Sequence, residues 1–241
     1  MIKAKYRERS EMDRYVGKDL EAMCVAKNYN EWIFAEFSRY IRGNVAEVGA
    51  GSGNFSKRLL QSNLEKLYAF EPSNDMFPLL EASTRGDKRV EAIHGFFDVE
   101  QGRDTFDTIL YINVLEHVED DVAEMKKVRE SLCPGGHLLV FVPALPFLYS
   151  NFDKQIGHFR RYTKTGLVSV IEQAGLTIVK VRYFDCLGIV PWYLHFTLLK
   201  NTLKANNVSL YDKYAIPLNR FCESLLTPPI GKNLLLVAKP K

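Results

Sequence analysis

The sequence predicts an α/β fold, in which a mostly parallel sheet carries helices on both faces. Three observations support this class. Short apolar segments alternate with helical patterns, the first of these segments ends in a glycine-rich turn, and the second ends in a carboxylate. A chain of 241 residues can bury a sizeable core within one such sheet. We therefore expect one domain over residues 1–241.

Residues 1–43 are expected to form a helical cap before the first strand. Apolar or aromatic residues recur there with helical spacing, at Trp32, Ile33, Phe37, Tyr40 and Ile41. A helix with such an apolar face packs onto the sheet. We expect this cap to cover the ligand cleft.

The segment Val-Ala-Glu-Val-Gly-Ala-Gly-Ser-Gly at 45–53 is an apolar run followed by alternate glycines. Gly49, Gly51 and Gly53 permit positive φ and let a ligand lie against the main chain. A dinucleotide fingerprint needs its third glycine at the sixth position of the motif, and counting from Gly49 that position is Asn54. The acid Glu47 would repel a phosphate but suits an ammonium group. The pattern therefore predicts a nucleoside ligand that carries an amino-acid moiety.

The second strand is expected to end at Glu71, twenty residues after Gly51. A carboxylate at that place can accept hydrogen bonds from both hydroxyls of a ribose.

The remaining elements follow in alternation. We expect a helix from Asp120 and Asp121 that Pro134 and Gly135 end, and another from Thr163 as N-cap through Gln173. The seven strands are predicted at 45–49, 66–70, 89–94, 107–112, 137–142, 176–184 and 232–239.

The interval 186–230 between the last two strands is longer than a crossover requires, and we expect it to contain a substructure. Its first part, 186–199, is nearly all apolar but too short to span a ~30 Å hydrocarbon layer. Two interpretations stay open for it. It either covers the acceptor pocket or forms a homodimer contact, or else it makes peripheral membrane contact or receives a lipid-bearing acceptor.

Composition excludes several classes of function. The net charge of +3 is spread along the chain, so it favours neither a nucleic-acid clamp nor a strongly basic membrane surface. The cysteines Cys24, Cys133, Cys186 and Cys222 have no paired spacing, which argues against zinc and against a disulfide framework. Charge runs through the first twenty residues, so no secretory segment is expected. We expect a cytoplasmic protein.

Four landmarks in order give this sequence a resemblance to a known family. They are the glycine loop at 47–53, the acid Glu71, the segment 106–117 that ends in Asn-Val-Leu-Glu-His, and Pro-Gly-Gly at 134–136. The sequence resembles the class I S-adenosylmethionine-dependent methyltransferases, the seven-stranded Rossmann-like family. The resemblance implies a three-layer sandwich whose last strand, at 233–238, lies antiparallel at one side. It implies S-adenosyl-L-methionine as cofactor and S-adenosyl-L-homocysteine as product.

The family pattern assigns cofactor contacts at the ends of the first four strands. Phe96 and Phe97 stand where many members have an acid beside adenine, and Asp98 is the nearby alternative, with helix capping as its other role. Asn113 should face the methionine end. The cofactor-binding residues implied are Glu47, Gly49, Ala50, Gly51, Gly53, Glu71, Pro72, Phe96, Phe97, Asn113 and Val114.

Acceptor chemistry is assigned to two histidines and four further residues. His117 either removes an acceptor proton or orients its loop, and His158 belongs to a Gly-His-x-Arg-Arg-Tyr segment seen in a bacterial branch of the family. That segment either binds an anionic or polyhydroxylated acceptor or anchors a loop through Arg–carboxylate pairs. The catalytic candidates are His117 and His158, and the acceptor-binding candidates are Tyr29, Pro143, Arg161 and Tyr162. Tyr29 has ordinary packing as its alternative. No metal site is expected.

The leading functional interpretation is methyl transfer to oxygen, or next to nitrogen, of a small-molecule, glycosidic or lipid-linked acceptor. One alternative is a nucleic-acid methyltransferase, which the sequence disfavours because the fourth-strand motif lacks the Asn/Asp-Pro-Pro-aromatic turn and no basic stripe is present. The expected partners therefore exclude nucleic acid. The other alternative is a non-catalytic cofactor-binding module, which the intact glycine loop and Glu71 disfavour.

Overall fold

The computed structural model describes residues 26–98, 105–198 and 205–241 of the chain. Residues 1–25 of the expected N-terminal cap lie outside the described residues, as do 99–104 and 199–204.

A seven-stranded sheet forms the centre of the molecule, with strand order β3-β2-β1-β4-β5-β7-β6. The strands are β1 (Gly43–Val48), β2 (Leu64–Glu71), β3 (Val90–His94), β4 (Phe106–Ile112), β5 (Leu132–Pro143), β6 (Leu176–Phe184) and β7 (Asn233–Pro240). β7 runs antiparallel to both of its neighbours, β5 and β6, while β1 to β5 pair in parallel. The predicted mixed sheet is confirmed, and β7 lies inside the sheet with β6 at the edge.

Helices surround the sheet. They are α1 (Lys27–Phe37), α2 (Ser56–Leu59), α3 (Phe77–Thr84), α4 (Asp121–Ser131), α5 (Asn151–Gln155), α6 (Lys164–Gln173), α7 (Ile189–Trp192), α8 (Ala205–Leu210) and α9 (Ile216–Leu225). The chain is π-helical at Tyr193–Leu198 and at Tyr211–Ala215. No helix among the described residues combines the length and apolar character needed to cross a bilayer.

The central strands are apolar on both faces because helices cover both. In β5, Leu138 and Val140 pack with one core cluster, whereas Leu139 and Phe141 pack with the other. The first cluster also contains buried residues of α4 and α6, and the second contains buried residues of α1, α2 and α9. The result is the predicted three-layer arrangement.

Two predicted helix starts are confirmed by their caps. The Asp120 side chain accepts a hydrogen bond from Ala123 N at 2.9 Å, and Thr163 Oγ1 accepts one from Gly166 N at 3.0 Å. β5 begins at Leu132, five residues before the predicted position 137, because Phe106 of β4 already pairs with Leu132.

The described part of the 186–230 segment is helical and is joined to α1. Asp212 accepts hydrogen bonds from the backbone N–H groups of Asn28 and Tyr29, at 3.0 and 2.8 Å, which cap the N-terminus of α1. Buried Asp185, at φ +63°, accepts hydrogen bonds from Tyr211 Oη at 2.7 Å and Asn219 Nδ2 at 2.6 Å. These contacts hold the segment beside α1 at the carboxyl end of the sheet.

Candidate active site

A cavity of about 410 Å³ lies at the carboxyl ends of β1, β2, β4 and β5. This is where the strand order reverses between β1 and β4, which is the usual ligand position in open α/β sheets. Its volume lies in the usual range for small-molecule sites. The 186–230 segment and α5 supply the remaining walls.

The glycine loop forms one wall of the cavity. The N–H groups of Gly49 and Ala50 both donate to Phe70 O at 2.9 Å, which ties the loop to β2. Gly49 and Gly51 have φ of +71° and +57°, a region that favours glycine. A Cβ on Gly49 would lie 2.6 Å from Val114 Cγ2, so the loop packs directly on the end of β4. Gly49, Ala50, Gly51 and Val114 all line the cavity.

Gly53, the third glycine, lies on the other side of the loop and does not line the cavity. Its φ is +80°, and a Cβ there would lie 2.0 Å from Ser83 Oγ of α3. Gly53 therefore allows the loop to pack against α3, a supporting role that differs from the predicted cofactor contact.

Glu71 ends β2 and is buried at the cavity wall, beside Pro72. Its Oε2 accepts a hydrogen bond from Gly51 N at 2.7 Å, and its Oε1 accepts one from Ser73 N at 2.8 Å. Burial raises the pKa of Glu71, while the two backbone hydrogen bonds act in the opposite direction. The glycine loop and the end of β2 therefore orient the carboxylate that was predicted to bind ribose.

Glu47 lies at the start of the loop and is only 3% exposed. Ser56 Oγ donates a hydrogen bond to its Oε2 at 2.5 Å. Burial raises the pKa of Glu47 to about 8, although the Ser56 hydrogen bond lowers it and the nearby Glu71 carboxylate raises it further. A buried acid of this kind is ionised most easily when a cation binds beside it.

The aromatic residues after β3 form the wall expected beside adenine. Phe97 is buried and packs edge-on against Phe70, with ring centroids 5.3 Å apart, while Phe96 is 45% exposed. Both line the cavity, and the exposed Asp98 does not. The Asp98 alternative for an adenine contact is therefore not favoured by its position.

Asn113 follows β4 at a positive φ of +54°, and its N–H donates to Phe141 O at 2.8 Å. This turn leads into a 3₁₀ helix at Leu115–His117. Asn113 and Val114 line the cavity, as do Glu116 and His117.

The two catalytic candidates are brought together at the end of the cavity formed by α5 and the β4 turn. The rings of His117 and His158 have centroids 4.6 Å apart. Burial lowers the pKa of His117 to about 3, with the nearby His158 adding to the fall and a hydrogen bond to the backbone of Gly157 opposing it. His117 is therefore a neutral imidazole at neutral pH.

Asp153 of α5 anchors the Gly-His-x-Arg-Arg-Tyr segment. Its Oδ1 lies 3.0 Å from His158 Nδ1 and accepts a hydrogen bond from Arg161 Nε at 2.8 Å. Burial would raise the pKa of Asp153, but the contacts with His158 and Arg161 outweigh it and hold that pKa below its usual value. Arg161 is buried, lines the cavity and stacks over Trp192 at 4.5 Å. Its guanidinium therefore mainly anchors the loop through Asp153, which is the second of the two predicted roles.

Tyr162 does not line the cavity. Its hydroxyl donates to Asp121 Oδ2 at 2.9 Å and lies 3.3 Å from Leu115 O. Because Leu115 begins the turn that carries Glu116 and His117, Tyr162 supports that turn from behind. This position does not fit the direct acceptor contact that was predicted.

Tyr29 and Pro143, the other acceptor candidates, do line the cavity. The Tyr29 hydroxyl donates to Asn233 Oδ1 at 2.8 Å, and its ring packs edge-on against Phe141 at 6.1 Å. Tyr29 therefore packs in the core, as its alternative prediction stated, and also lines the cavity.

Sequence reasoning missed cavity residues that come from distant parts of the chain, namely Phe152, Lys232 and Asn233, whereas Trp192 lies where the pocket-covering interpretation of 186–199 puts it. Lys232 Nζ pairs with Asp185 Oδ2 at 2.7 Å and lies 5.5 Å from the centroid of the Trp192 ring. Trp192 belongs to the apolar stretch 186–199, so part of that stretch is apolar because it forms the cavity wall. In the sequence, the run of apolar residues at 186–199 was the signal that this stretch could form a cavity wall.

Comparisons with known proteins agree with this geometry. Residues 13–181 match a family model described as a methyltransferase domain. Over 99 residues the chain is 33% identical to a tRNA U34 carboxymethyltransferase of Sulfurovum sp., which covers 40% of this chain and 33% of that protein. Over 127 residues it is 32% identical to an uncharacterized methyltransferase of Staphylococcus carnosus, which covers 52% of this chain and 58% of that protein. The chain thus spans about a third of the first relative.

Solved structures share the fold at low sequence identity. An S-adenosylmethionine-dependent methyltransferase from Mesorhizobium loti superposes with a TM-score of 0.58 and 15% identity, over 86% of this chain and 97% of that one. A chain from the complex between the Haloferax volcanii Trm112 methyltransferase activator and a methyltransferase superposes with a TM-score of 0.63 and 17% identity, over 93% and 96% of the two chains.

The partners expected from the sequence need correction. The expectation excluded nucleic acid because charge is spread and no basic stripe is present, but several relatives are tRNA U34 carboxymethyltransferases. The exclusion is therefore wrong. Spread charge does not exclude an RNA acceptor, because recognition of single bases also uses stacking and shape. A methyltransferase in complex with a protein activator is among the structural neighbours as well. Peripheral membrane contact through 186–199 and a homodimer stay predictions.

Proposed function

Because the chain belongs to a family of methyltransferase domains, we propose that its cavity binds S-adenosyl-L-methionine and directs the methyl group to an oxygen or nitrogen of an acceptor. The observation that carries the proposal is the pair of buried carboxylates, Glu47 and Glu71, on either side of the glycine loop. A ribose at Glu71 and an ammonium group beside Glu47 suit these two acids, whereas a phosphate beside them would gain no positively charged partner from them.

The residues of the cavity fit this cofactor at each end. Glu71 is held by Gly51 N and Ser73 N, and its remaining lone pairs accept hydrogen bonds from the ribose hydroxyls. Glu47, whose pKa burial raises to about 8, gains the cation it lacks when the methionine ammonium binds. Phe97 and Phe96 pack against adenine. Pro72, Asn113, Val114 and the loop backbone complete the contacts.

S-Adenosyl-L-methionine supplies an electrophilic methyl group on a positively charged sulfur. The chain's own residues then have to align the acceptor atom with that methyl group and exclude water. Pro143 and Tyr29 shape the wall near the methionine end, and Trp192 adds apolar cover. His117 and His158 lie where the acceptor approaches. As the new bond forms, the C–S bond breaks, its electron pair stays on sulfur, and the acceptor loses a proton.

Two acceptor classes are candidates. The cavity, whose volume of about 410 Å³ is that of a small-molecule site, favours a small-molecule, glycosidic or lipid-linked acceptor that enters it. The second candidate is a nucleoside of a transfer RNA, favoured by the similarity to the tRNA U34 carboxymethyltransferases. For that acceptor the base would have to leave its stack and insert into the cavity.

Calorimetric titration with S-adenosyl-L-homocysteine tests the cofactor part. We expect one site per chain and at least a tenfold weaker affinity in Glu71→Gln, since a charged hydrogen-bond acceptor is worth ~1.5–3 kcal/mol. Glu91→Gln is the matched control, because Glu91 is exposed on β3 and pairs with Lys66 outside the cavity. No binding by the wild-type protein, or equal affinity in Glu71→Gln, would contradict the proposal.

Transfer of a labelled methyl group distinguishes the acceptors. The full chain is incubated with methyl-labelled cofactor and either a transfer-RNA pool or a small-molecule extract. Label that becomes acid-soluble after ribonuclease treatment supports the RNA acceptor. Label in the small-molecule extract supports the first class.

A further inference from the structure

Three ligand-type side chains meet in the acceptor end of the cavity. Glu116, His117 and His158 each offer one donor atom, and these atoms lie within 4.8 Å of one another. Glu116 and His117 come from the turn after β4, and His158 comes from the segment after α5. All three line the cavity.

Glu116 is the unusual member of this cluster. Its side chain is 0% exposed, and neither carboxylate oxygen has a hydrogen-bond partner among the residues that the structure describes. The nearest cationic candidate, His158 Nε2, is 3.7 Å from Glu116 Oε1, which is too long for a hydrogen bond. Unpartnered buried carboxylates are costly, and a bound cation removes that cost.

The surrounding groups orient the two imidazoles as supporting residues do at metal centres. Asp153 Oδ1 lies 3.0 Å from His158 Nδ1, which leaves Nε2 directed at Glu116. Arg161 holds Asp153 from the other side, at 2.8 Å. The His117 imidazole makes a hydrogen bond with the backbone of Gly157. A carboxylate or carbonyl behind each ligating imidazole is the usual arrangement at metal sites, because it fixes the ring and its tautomer.

We propose that Glu116, His117 and His158 bind a divalent first-row transition-metal ion, and that an open coordination position on this ion faces the cavity and holds an oxygen of the acceptor. The acceptor part rests on the proposed methyl transfer, whereas the metal site stands on its own geometry. The proposal departs from the sequence-based expectation of no metal, because sequence spacing alone does not bring His158 beside Glu116.

The donor set selects the class of ion. Two imidazoles and one carboxylate suit Zn²⁺, Fe²⁺, Co²⁺ or Mn²⁺, whereas Mg²⁺ and Ca²⁺ prefer oxygen ligands alone. Two atoms bound to one ion at ~2.1 Å can be no more than ~4.2 Å apart. Glu116 Oε1 and His158 Nε2, 3.7 Å apart, already meet this limit, and any pair of donor atoms between ~4.2 and 4.8 Å apart would need a small side-chain rotation on binding. With three protein ligands, the ion keeps a position for an exogenous oxygen, as catalytic sites do.

Such an ion would activate the acceptor oxygen and position it. A metal-bound acceptor hydroxyl loses its proton more readily, and the ion orients that oxygen toward the methyl group. Because the imidazoles are occupied as ligands, the acceptor proton passes to solvent or to the buffer.

The test uses the untagged full chain, stripped of metal with a chelator and titrated with Co²⁺ without cofactor. We expect visible ligand-field absorption that saturates at one equivalent and is removed by Zn²⁺. Acetate should shift these bands by occupying the open position. Glu116→Gln and His158→Gln should each weaken Co²⁺ binding at least tenfold, because each removes a ligand.

Two matched variants serve as controls. His137→Gln removes a histidine of β5 outside the cavity, and Glu124→Gln removes an acid that lines the cavity but bonds to Tyr111 at 2.7 Å. Both should bind Co²⁺ like the wild type. The affinity of each variant for S-adenosyl-L-homocysteine, measured without metal, reports whether the variant is folded. This measurement also separates failure of the metal site from failure of the proposed function.

Anomalous scattering from a Zn²⁺-soaked wild-type crystal gives a measurement that no variant's folding can affect. A peak among the three side chains supports the site. The absence of saturable Co²⁺ absorption, a peak elsewhere only, or unchanged affinity in folded Glu116→Gln would overturn it. A Co²⁺ spectrum insensitive to acetate would overturn the open position.

Discussion

Replacement of Glu47 by Gln should change how cofactor affinity depends on pH. Burial raises the pKa of Glu47 to about 8 in the protein without ligand, so at pH 7 the group carries a proton that an incoming ammonium must displace. Displacing a proton one pH unit below the pKa costs ~1.4 kcal/mol. The apparent Kd for S-adenosyl-L-homocysteine should therefore fall about ninefold between pH 6 and pH 7, a range in which the ligand amine stays protonated.

Glu47→Gln should abolish this slope while changing affinity at pH 7 only modestly. A charge-assisted hydrogen bond is worth ~1.5–3 kcal/mol, and the ~1.4 kcal/mol of deprotonation offsets much of it at that pH. The pH slope is thus more diagnostic than the affinity itself.

Calorimetry in two buffers of different ionisation enthalpy measures the proton directly. At pH 7 the wild type should release about 0.9 proton on binding, which is the protonated fraction of a group with a pKa of about 8. Glu47→Gln should release close to none. If the variant releases as many protons as the wild type, Glu47 is not the group that meets the ammonium and the reasoning fails.

Three further outcomes are expected. Because the pKa of Glu47 is raised on folding, its contribution to the free energy of unfolding falls as pH rises from about 4.5 towards 8, by up to ~1.4 kcal/mol per pH unit. Urea unfolding should therefore show a smaller loss of stability between pH 6 and pH 8 in Glu47→Gln than in the wild type. An equal loss would contradict the burial argument. Asp212→Ala should lower the free energy of unfolding by ~1–2 kcal/mol through loss of the α1 cap, with Asp212→Asn retaining most of it, and urea midpoints that do not move would exclude the cap. Gly49→Ala should weaken cofactor binding, measured by calorimetry, because the added Cβ would collide with Val114. In the control Gly86→Ala, at φ +97°, the added Cβ has no neighbour within 4 Å, so binding should be unchanged. Equal effects of the two substitutions would contradict a tightly packed loop.

The sheet was predictable because its signals are local. Each strand of this α/β fold is a short apolar run bounded by turn residues, and Asp120 and Thr163 announce the helices they cap. The start of β5 was misplaced furthest, by five residues, because Leu132 pairs with Phe106 before the proline and glycines interrupt the apolar pattern. Pairing across the sheet determined that boundary.

The part of the cavity that we propose binds the cofactor was predictable for a related reason. Its residues follow the ends of consecutive strands, and the carboxyl ends of parallel strands meet at one edge. Gly53 was the exception, since alternate glycines look equivalent in sequence but face opposite sides of a loop.

The part of the cavity that we propose receives the acceptor depends on tertiary contacts that the sequence does not display. Asp153 carries no periodic signal, yet its burial determines that Arg161 serves as an anchor. Trp192 lines the cavity from the 186–230 segment, which packs beside α1, and Lys232 lines it from the position directly before β7. The sequence shows Glu116 only as part of the motif after β4, and the fold shows that it is buried.

The central claim is that this cavity binds the adenosyl-sulfur cofactor along the glycine loop. A crystal structure of the chain with S-adenosyl-L-homocysteine tests it most directly. We predict ribose hydroxyl oxygens within ~3 Å of the Glu71 carboxylate, with the amino group of the ligand beside Glu47. Ligand density away from the loop, or a ribose with no contact to Glu71, would contradict the account.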